Sequence, residues 1–242
     1  MKKYLYEDLF ALEEKHWWHI AKRRAIKKII RKYSHIKNPK ILDIGCGAGK
    51  NMEELQELGN VYGLDSSPEA LSFCRKRGLK KLTQGSAEMT HLKSASFNII
   101  TMLDVLEHTN DNLTLKEMQR ILKKGGIIII TVPAFNWLWS KWDEVLHHKR
   151  RYTTYTLKQK LLANNFDPIK MTYLFSFLVI PALIIRTIKQ IFFTKFYPSD
   201  FKLSNPALNL LLGSFAELEF FFAERFYIPF GTSVLVVAKK HV

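Results

Sequence analysis

A chain of 242 residues that is 47% hydrophobic fits one large α/β domain with its own core. Two cysteines, Cys46 and Cys74, exclude a disulfide framework and a cysteine metal site, and no charged run leads into an apolar one as in a secretory signal, so a cytoplasmic setting is expected. The formal net charge of +15, with twelve Lys/Arg against four Asp/Glu in residues 1–40, points to an anionic neighbour (nucleic acid, membrane headgroups or a phosphorylated substrate) or to a surface that uses lysine throughout.

Residues 5–33 lack Gly and Pro and space Trp18, Ala21, Ala25, Ile29 and Tyr33 along one side, which predicts a helix that Asn38-Pro39 ends. Apolar runs then alternate with helical stretches. Lys40–Ile44, Val61–Leu64, Phe97–Leu103 and Ile127–Val132 read as strands. Met52–Leu58, a helix opened by Ser67-Pro68 and reaching Lys76, and Leu113–Leu122 read as the helices between them. Strict alternation predicts βαβ units and a doubly wound, mostly parallel sheet.

After Pro133 the pattern changes. Residues 134–156 mix aromatics, histidines and basic residues with little periodicity, as a functional loop does, and Leu157–Asn164 resumes a helix. From Ile169 to Phe193 the chain is strongly apolar, but its densest piece, Leu174–Ile185, contains Pro181 and stops at Arg186, short of the roughly 20 residues of a spanning helix. An aromatic-rich helix, Ala207–Phe226, and a strand, Ser233–Ala238, close the chain. The expected organisation is a basic helical segment (1–38), an α/β core (39–170) carrying the loop 134–156, an apolar helical insertion (171–227) and a final strand (228–242).

The most informative residues are Ile41-Leu42-Asp43-Ile44-Gly45-Cys46-Gly47-Ala48-Gly49, a strand running into Gly-x-Gly-x-Gly and then a helix. Glycine serves where a turn is tight and where backbone must approach a ligand, and the helix start offers free N–H groups to an anion. Lys50 stands where a nicotinamide fingerprint would place its last glycine. Asp65, at the end of the second strand in Gly63-Leu64-Asp65-Ser66, is a carboxylate placed to bind both hydroxyls of a ribose.

On these residues, with Phe97–Ile100, Val105-Leu106-Glu107-His108 and Lys124-Gly125-Gly126, the chain resembles the class I S-adenosylmethionine-dependent methyltransferases, especially the ubiquinone-biosynthesis type. The resemblance covers roughly residues 40–135 and implies S-adenosylmethionine as cofactor. It implies that Gly45 and Gly47 pack on the methionine part, Asp65 holds the ribose, Ser86, Ala87 and Glu88 frame the adenine, and Leu103 and Asp104 lie beside the cofactor. Ser86 departs from the Asp that relatives often carry there. Asp43, Cys46, Gly49 and Ser66 complete the expected cofactor set, with Arg24 as the helical arginine that meets the cofactor carboxylate in quinone-pathway relatives.

Methyl transfer from a sulfonium needs alignment above all, and an oxygen nucleophile also needs its proton removed, which suits a histidine near neutral pH. His108, just beyond the strand Phe97–Leu103, is one candidate base; His147 and His148 are others. The run His147–Tyr152 follows Trp137, Trp139 and Trp142, and predicts a lid in which Trp139, Arg150, Arg151 and Tyr152 bind the acceptor. Neither Asp43 nor Glu107 is expected in a paired acid/base site, and His16 and His19 lack the further ligands of a metal site.

The expected function is methylation, on oxygen, of a small or lipid-linked acceptor. Nucleic acid is disfavoured: Leu103-Asp104-Val105-Leu106 is not the Asn/Asp-Pro-Pro-aromatic run of DNA amino-methylating enzymes, and neither cysteine is placed to attack cytosine. A cofactor-binding protein without catalysis ranks last. Tyr173–Tyr197 joins the apolar Leu174–Ile185 to Arg186, Lys189 and Lys195 among Ile191, Phe192, Phe193, Phe196 and Tyr197, which suits a helix lying on an anionic membrane, peripheral on the inner face. The competing use of the same segment is a pocket cover or a dimer interface.

Overall fold

The structure, a computed structural model, describes residues 3–192 and 205–241. The N-terminal stretch is two helices, α1 (Lys3–Lys15) and α2 (Trp17–Tyr33), where the apolar spacing predicts one. His16 separates them: its backbone is extended and its ring Nδ1 accepts the Trp18 N–H at 3.3 Å, capping α2.

The alternating pattern yields β1 (Lys40–Ile44), α3 (Lys50–Leu55), β2 (Asn60–Asp65), α4 (Pro68–Lys76), β3 (Leu82–Gln84), β4 (Phe97–Leu103), α5 (Asp111–Ile121) and β5 (Leu122–Pro133). Ser67 caps α4 through its hydroxyl, and Pro68 occupies the first turn, where no N–H is missed. Beyond β5 come α6 (Lys141–Val145), α7 (Thr154–Ala163), β6 (Phe166–Leu174), α8 (Val179–Phe192), α9 (Pro206–Ala223) and β7 (Ser233–Lys240). Phe193, Lys195, Phe196 and Tyr197 lie outside the described residues.

One seven-stranded sheet runs β3-β2-β1-β4-β5-β7-β6, parallel except for β7, which is antiparallel to both neighbours. The four isoleucines of β5 show how it is filled. Ile127 and Ile129 join Ala25, Ile26 and Ile29 of α2 on one face, and Ile128 and Ile130 join Leu115 and Met118 of α5 on the other.

Two expectations change. Phe166–Leu174 is the edge strand, registered against Ser233–Lys240, so the sheet extends past the boundary placed at residue 170 into the segment read as helical insertion. Residues 134–156 fold around α6 and are tied to the sheet by Phe135 N–H to Tyr152 O and Tyr152 N–H to Pro133 O, each 2.9 Å. Strand order reverses between β1 and β4, and the crevice at their carboxyl ends is where doubly wound sheets bind ligands.

Candidate functional site

The loop after β1 enters that crevice. Gly45 has φ 64°, and a Cβ there would lie 2.4 Å from Val105 Cγ2. Gly47 has φ 56°, yet a Cβ on it would meet nothing closer than Leu9 of α1 at 3.4 Å. Leu9 and Glu13 of α1 lie over this position, so its positive φ, and not a close contact, is what calls for glycine. The Asp65 carboxylate accepts the Gly47 N–H at 3.0 Å on Oδ2 and the Ser67 N–H at 2.9 Å on Oδ1. Burial raises its pKa against the pull of those two bonds. Each oxygen keeps lone-pair capacity, which fits a pair of ribose hydroxyls.

The other expected cofactor residues fall around this loop. Gly49, at φ 90°, precedes α3, and Ser66 is exposed at the end of β2. Asp43 is buried under the loop, where Oδ1 accepts the Thr101 hydroxyl at 2.6 Å and the Asn51 amide at 3.0 Å, and burial pushes its pKa up to about 6. Cys46 turns into the core, its Sγ 3.8 Å from that of Cys74, so only its backbone borders the crevice. Ser86 is exposed, Ala87 buried, and Glu88 accepts the Asn110 N–H at 2.7 Å. Leu103 ends β4, and Asp104 follows it at φ 57°, accepting the Thr131 hydroxyl at 3.1 Å.

Two features of α1 and α2 went unforeseen. Glu13 accepts the Lys50 N–H at 3.3 Å, so a carboxylate of α1 occupies the helix start left open for an anionic ligand. Burial raises the Glu13 pKa to about 7, opposed chiefly by Arg77. Lys22 is buried, lies 3.6 Å over the Trp18 ring and pairs with Asp104 across the crevice mouth. Arg24, expected at the cofactor, instead pairs with Glu217 of α9 on the outer surface, and the buried Arg23 holds Glu54 at 2.7 Å. Neighbouring helical positions differ by about 100° in direction, and it is Lys22 that faces the crevice.

Beyond β4, Glu107, His108 and His148 converge, one ligand atom from each lying within 4.8 Å of the others. That set can remove a proton or hold a divalent cation. Glu107 is completely buried, and neither carboxylate oxygen has a hydrogen-bond partner among the described residues. Burial, reinforced by Asp104, holds its pKa well above the usual carboxylate range. His148 Nδ1 lies 2.8 Å from Asp143 Oδ1, and its Nε2 is 3.9 Å from Glu107 Oε1. Burial and the neighbouring His148 lower the His108 pKa to about 4.

The expected acceptor-binding cations do something else. Arg151 is buried, with Nε and Nη2 on the Asp143 carboxylate at 2.8 and 2.9 Å and Nη1 on Ala134 O at 3.0 Å. Burial raises the Asp143 pKa, but the bonds from His148 and Arg151 outweigh it and hold the group well below its usual value. Arg150 pairs with Asp111 at 3.0 Å, and the buried Tyr152 hydroxyl donates to that same carboxylate at 3.4 Å. These three residues thus build the loop, and Trp139 is half-buried within it. His147 is exposed and meets the cluster through its carbonyl oxygen, 3.4 Å from His108 Nδ1.

The chain is similar to known methyltransferases. Residues 42–130 match the family described as a methyltransferase domain. A ubiquinone biosynthesis O-methyltransferase of Pelagibacter ubique is 38% identical over 101 residues, which are 39% of this chain and 42% of that protein. The alignment thus spans less than half of that relative. Among solved structures, an S-adenosylmethionine-dependent methyltransferase of Archaeoglobus fulgidus superposes with a TM-score of 0.58 over 90% of this chain and 94% of its own, at 20% identity. Phosphoethanolamine N-methyltransferase 2 of Haemonchus contortus, solved with S-adenosyl-L-methionine, superposes with a TM-score of 0.60 over 90% of this chain and 52% of its own, at 15% identity. The seven-stranded sheet has the same Rossmann-like architecture as these neighbours.

Proposed function

We propose that this chain, which carries a class I S-adenosylmethionine-dependent methyltransferase domain, methylates an oxygen atom of a small or lipid-linked acceptor. Gly45 and Gly47 would receive the methionine end of the cofactor, Asp65 the ribose and Ser86–Glu88 the adenine. Bound there, the cofactor supplies an electrophilic methyl group on a sulfonium. Holding the acceptor in line with it makes up much of the acceleration.

The observation that carries the oxygen reading is the His148–Asp143 pair beside the buried Glu107. Asp143, kept ionised by Arg151, accepts a hydrogen bond from the His148 Nδ1–H and so leaves Nε2 as the free acceptor. His148 Nε2 would take the proton of an acceptor hydroxyl held in line with the methyl group that the bound cofactor would supply. The 38% identity to a ubiquinone biosynthesis O-methyltransferase supports a hydroxyl acceptor. The test is incubation with methyl-tritiated S-adenosylmethionine against phenols, a lipid extract and total RNA. Label in base-stable, solvent-extractable ethers supports the reading; label confined to RNA or to amines contradicts it.

A further inference from the structure

α9 is apolar on both sides. Ala216, Phe220 and Ala223 are buried in the core cluster that contains Ala21 and Ala25 of α2. On its opposite face Leu210 is 73% exposed and Leu218 55%, while Ile180 of α8 is 70% exposed. A helix apolar all round belongs in a protein core or in lipid, and here one half lies outside the core. Its 18 residues are long and apolar enough to cross a bilayer, yet two features hold it flat against the domain. Glu219 accepts the Ser176 N–H at 2.6 Å, and Asn209 accepts the Trp17 N–H and donates to Lys15 O, both at 2.9 Å.

Cations flank this face. Lys28 lies 5.8 Å over the Phe220 ring, Lys32 donates to Glu224 O at 3.0 Å, Lys170 donates to Phe226 O at 2.9 Å and Arg225 stacks 4.2 Å over Phe221. Arg225 and Lys170 beside the exposed Phe221 and Phe226, with the exposed Lys28 and Lys32 of α2 along the edge, suit the headgroup layer of an anionic membrane. A two-fold contact with a second copy would bring these like charges together across the interface.

From the same face an aromatic series leads to the crevice. Phe215 meets Phe177 at 5.9 Å between ring centroids, Phe177 meets Trp17 at 5.9 Å, Trp17 meets Phe175 at 5.8 Å and Phe175 meets Trp18 at 5.9 Å. Trp18 lies under Lys22, the partner of Asp104.

We propose that α8 and α9 seat the protein in the headgroup plane of an anionic bilayer. The docking face is α9 with the exposed side of α8, and the aromatic series connects that face to the crevice by packed rings. This inference does not rest on methyl transfer, since lipid binding is read without turnover.

The test is density-gradient flotation of the full chain with phosphatidylcholine vesicles, with and without phosphatidylglycerol. The protein is expected to float with the anionic vesicles. Leu210→Glu with Leu218→Glu should stay in the soluble fraction with an unchanged melting temperature, because both side chains are exposed. Lys28→Ala with Lys32→Ala removes two surface cations and should weaken binding about thirtyfold, which keeps the test decisive if the first variant does not fold. The proposal fails if the wild type remains soluble with anionic vesicles, or if the folded variants float as it does. It also fails if the wild type sediments as a dimer that the glutamates dissociate, since a second copy then covers the face.

Discussion

His148 Nδ1 stands 2.8 Å from a carboxylate oxygen of Asp143. The same carboxylate is gripped by two nitrogens of Arg151, so one buried acid both orients a candidate base and fastens the loop that carries it. Removing His148 and removing Asp143 should therefore have different signatures. His148→Ala is expected to lower kcat by about 100- to 10,000-fold with cofactor affinity unchanged. Asp143→Asn should lower both kcat and thermal stability. Steady-state kinetics beside calorimetric cofactor titration separates the two; an active His148→Ala enzyme would remove the base.

Arg151 tests the loop architecture. Arg151→Ala leaves the buried Asp143 without its main countercharge and should cost about 3–5 kcal/mol of folding free energy. Urea unfolding measures this. A stable variant with a raised acceptor KM would return Arg151 to the substrate-binding role that its place in the basic run suggested.

Glu107 is a buried carboxyl without a hydrogen-bond partner among the described residues, and its pKa in the fold lies well above its unfolded value. The folded state thus holds a proton that the unfolded chain releases, and stability from this group is lost as pH rises above about 4.5. Glu107→Gln should be more stable than the wild type at pH 8, by about 1–3 kcal/mol, with the gap narrowing toward pH 5. Equal stabilities across that range would mean that the carboxylate has a partner.

Much of this fold is legible in the sequence. β1, β2, β4 and β5 are short apolar runs because both faces of the sheet are covered, and Ser67-Pro68 marks the start of α4. β6 was hidden because Asp167, Pro168 and Lys170 interrupt its apolar pattern, which an edge strand tolerates. The break at His16 was hidden because the stripe of α2 continues the one before it. Gly45, Gly47 and Asp65 stand out by spacing within one βαβ unit, and the fold brings the last two together through the Gly47 N–H to Asp65 bond. Arg150 and Arg151 mislead as a pair because the carboxylates that neutralise them, Asp111 and Asp143, come from other parts of the chain.

α1 covers the glycine loop through Leu9 and Glu13. With its pKa raised by burial to about 7, Glu13 contributes stability that is present below pH 4.5 and lost as pH rises through 7. The covering helix should loosen in that window, so cofactor association is expected to be faster at pH 8 than at pH 6. Glu13→Gln should flatten the dependence. Stopped-flow mixing at the two pH values measures it, and an equal slope in wild type and variant would contradict it.

The most direct measurement is calorimetric titration of S-adenosylmethionine into the wild type and Asp65→Ala. Asp65 sits at the end of β2 with its two oxygens bonded to the Gly47 and Ser67 amides, which fixes the carboxylate that is proposed to hold the ribose. Losing a charge-assisted pair of hydrogen bonds costs about 1.5–3 kcal/mol, or roughly a ten- to hundredfold weaker Kd. Binding by the wild type with that loss in the variant is the expected result. No binding by the folded wild type, or equal affinity in Asp65→Ala, would contradict the assignment of this crevice to the cofactor.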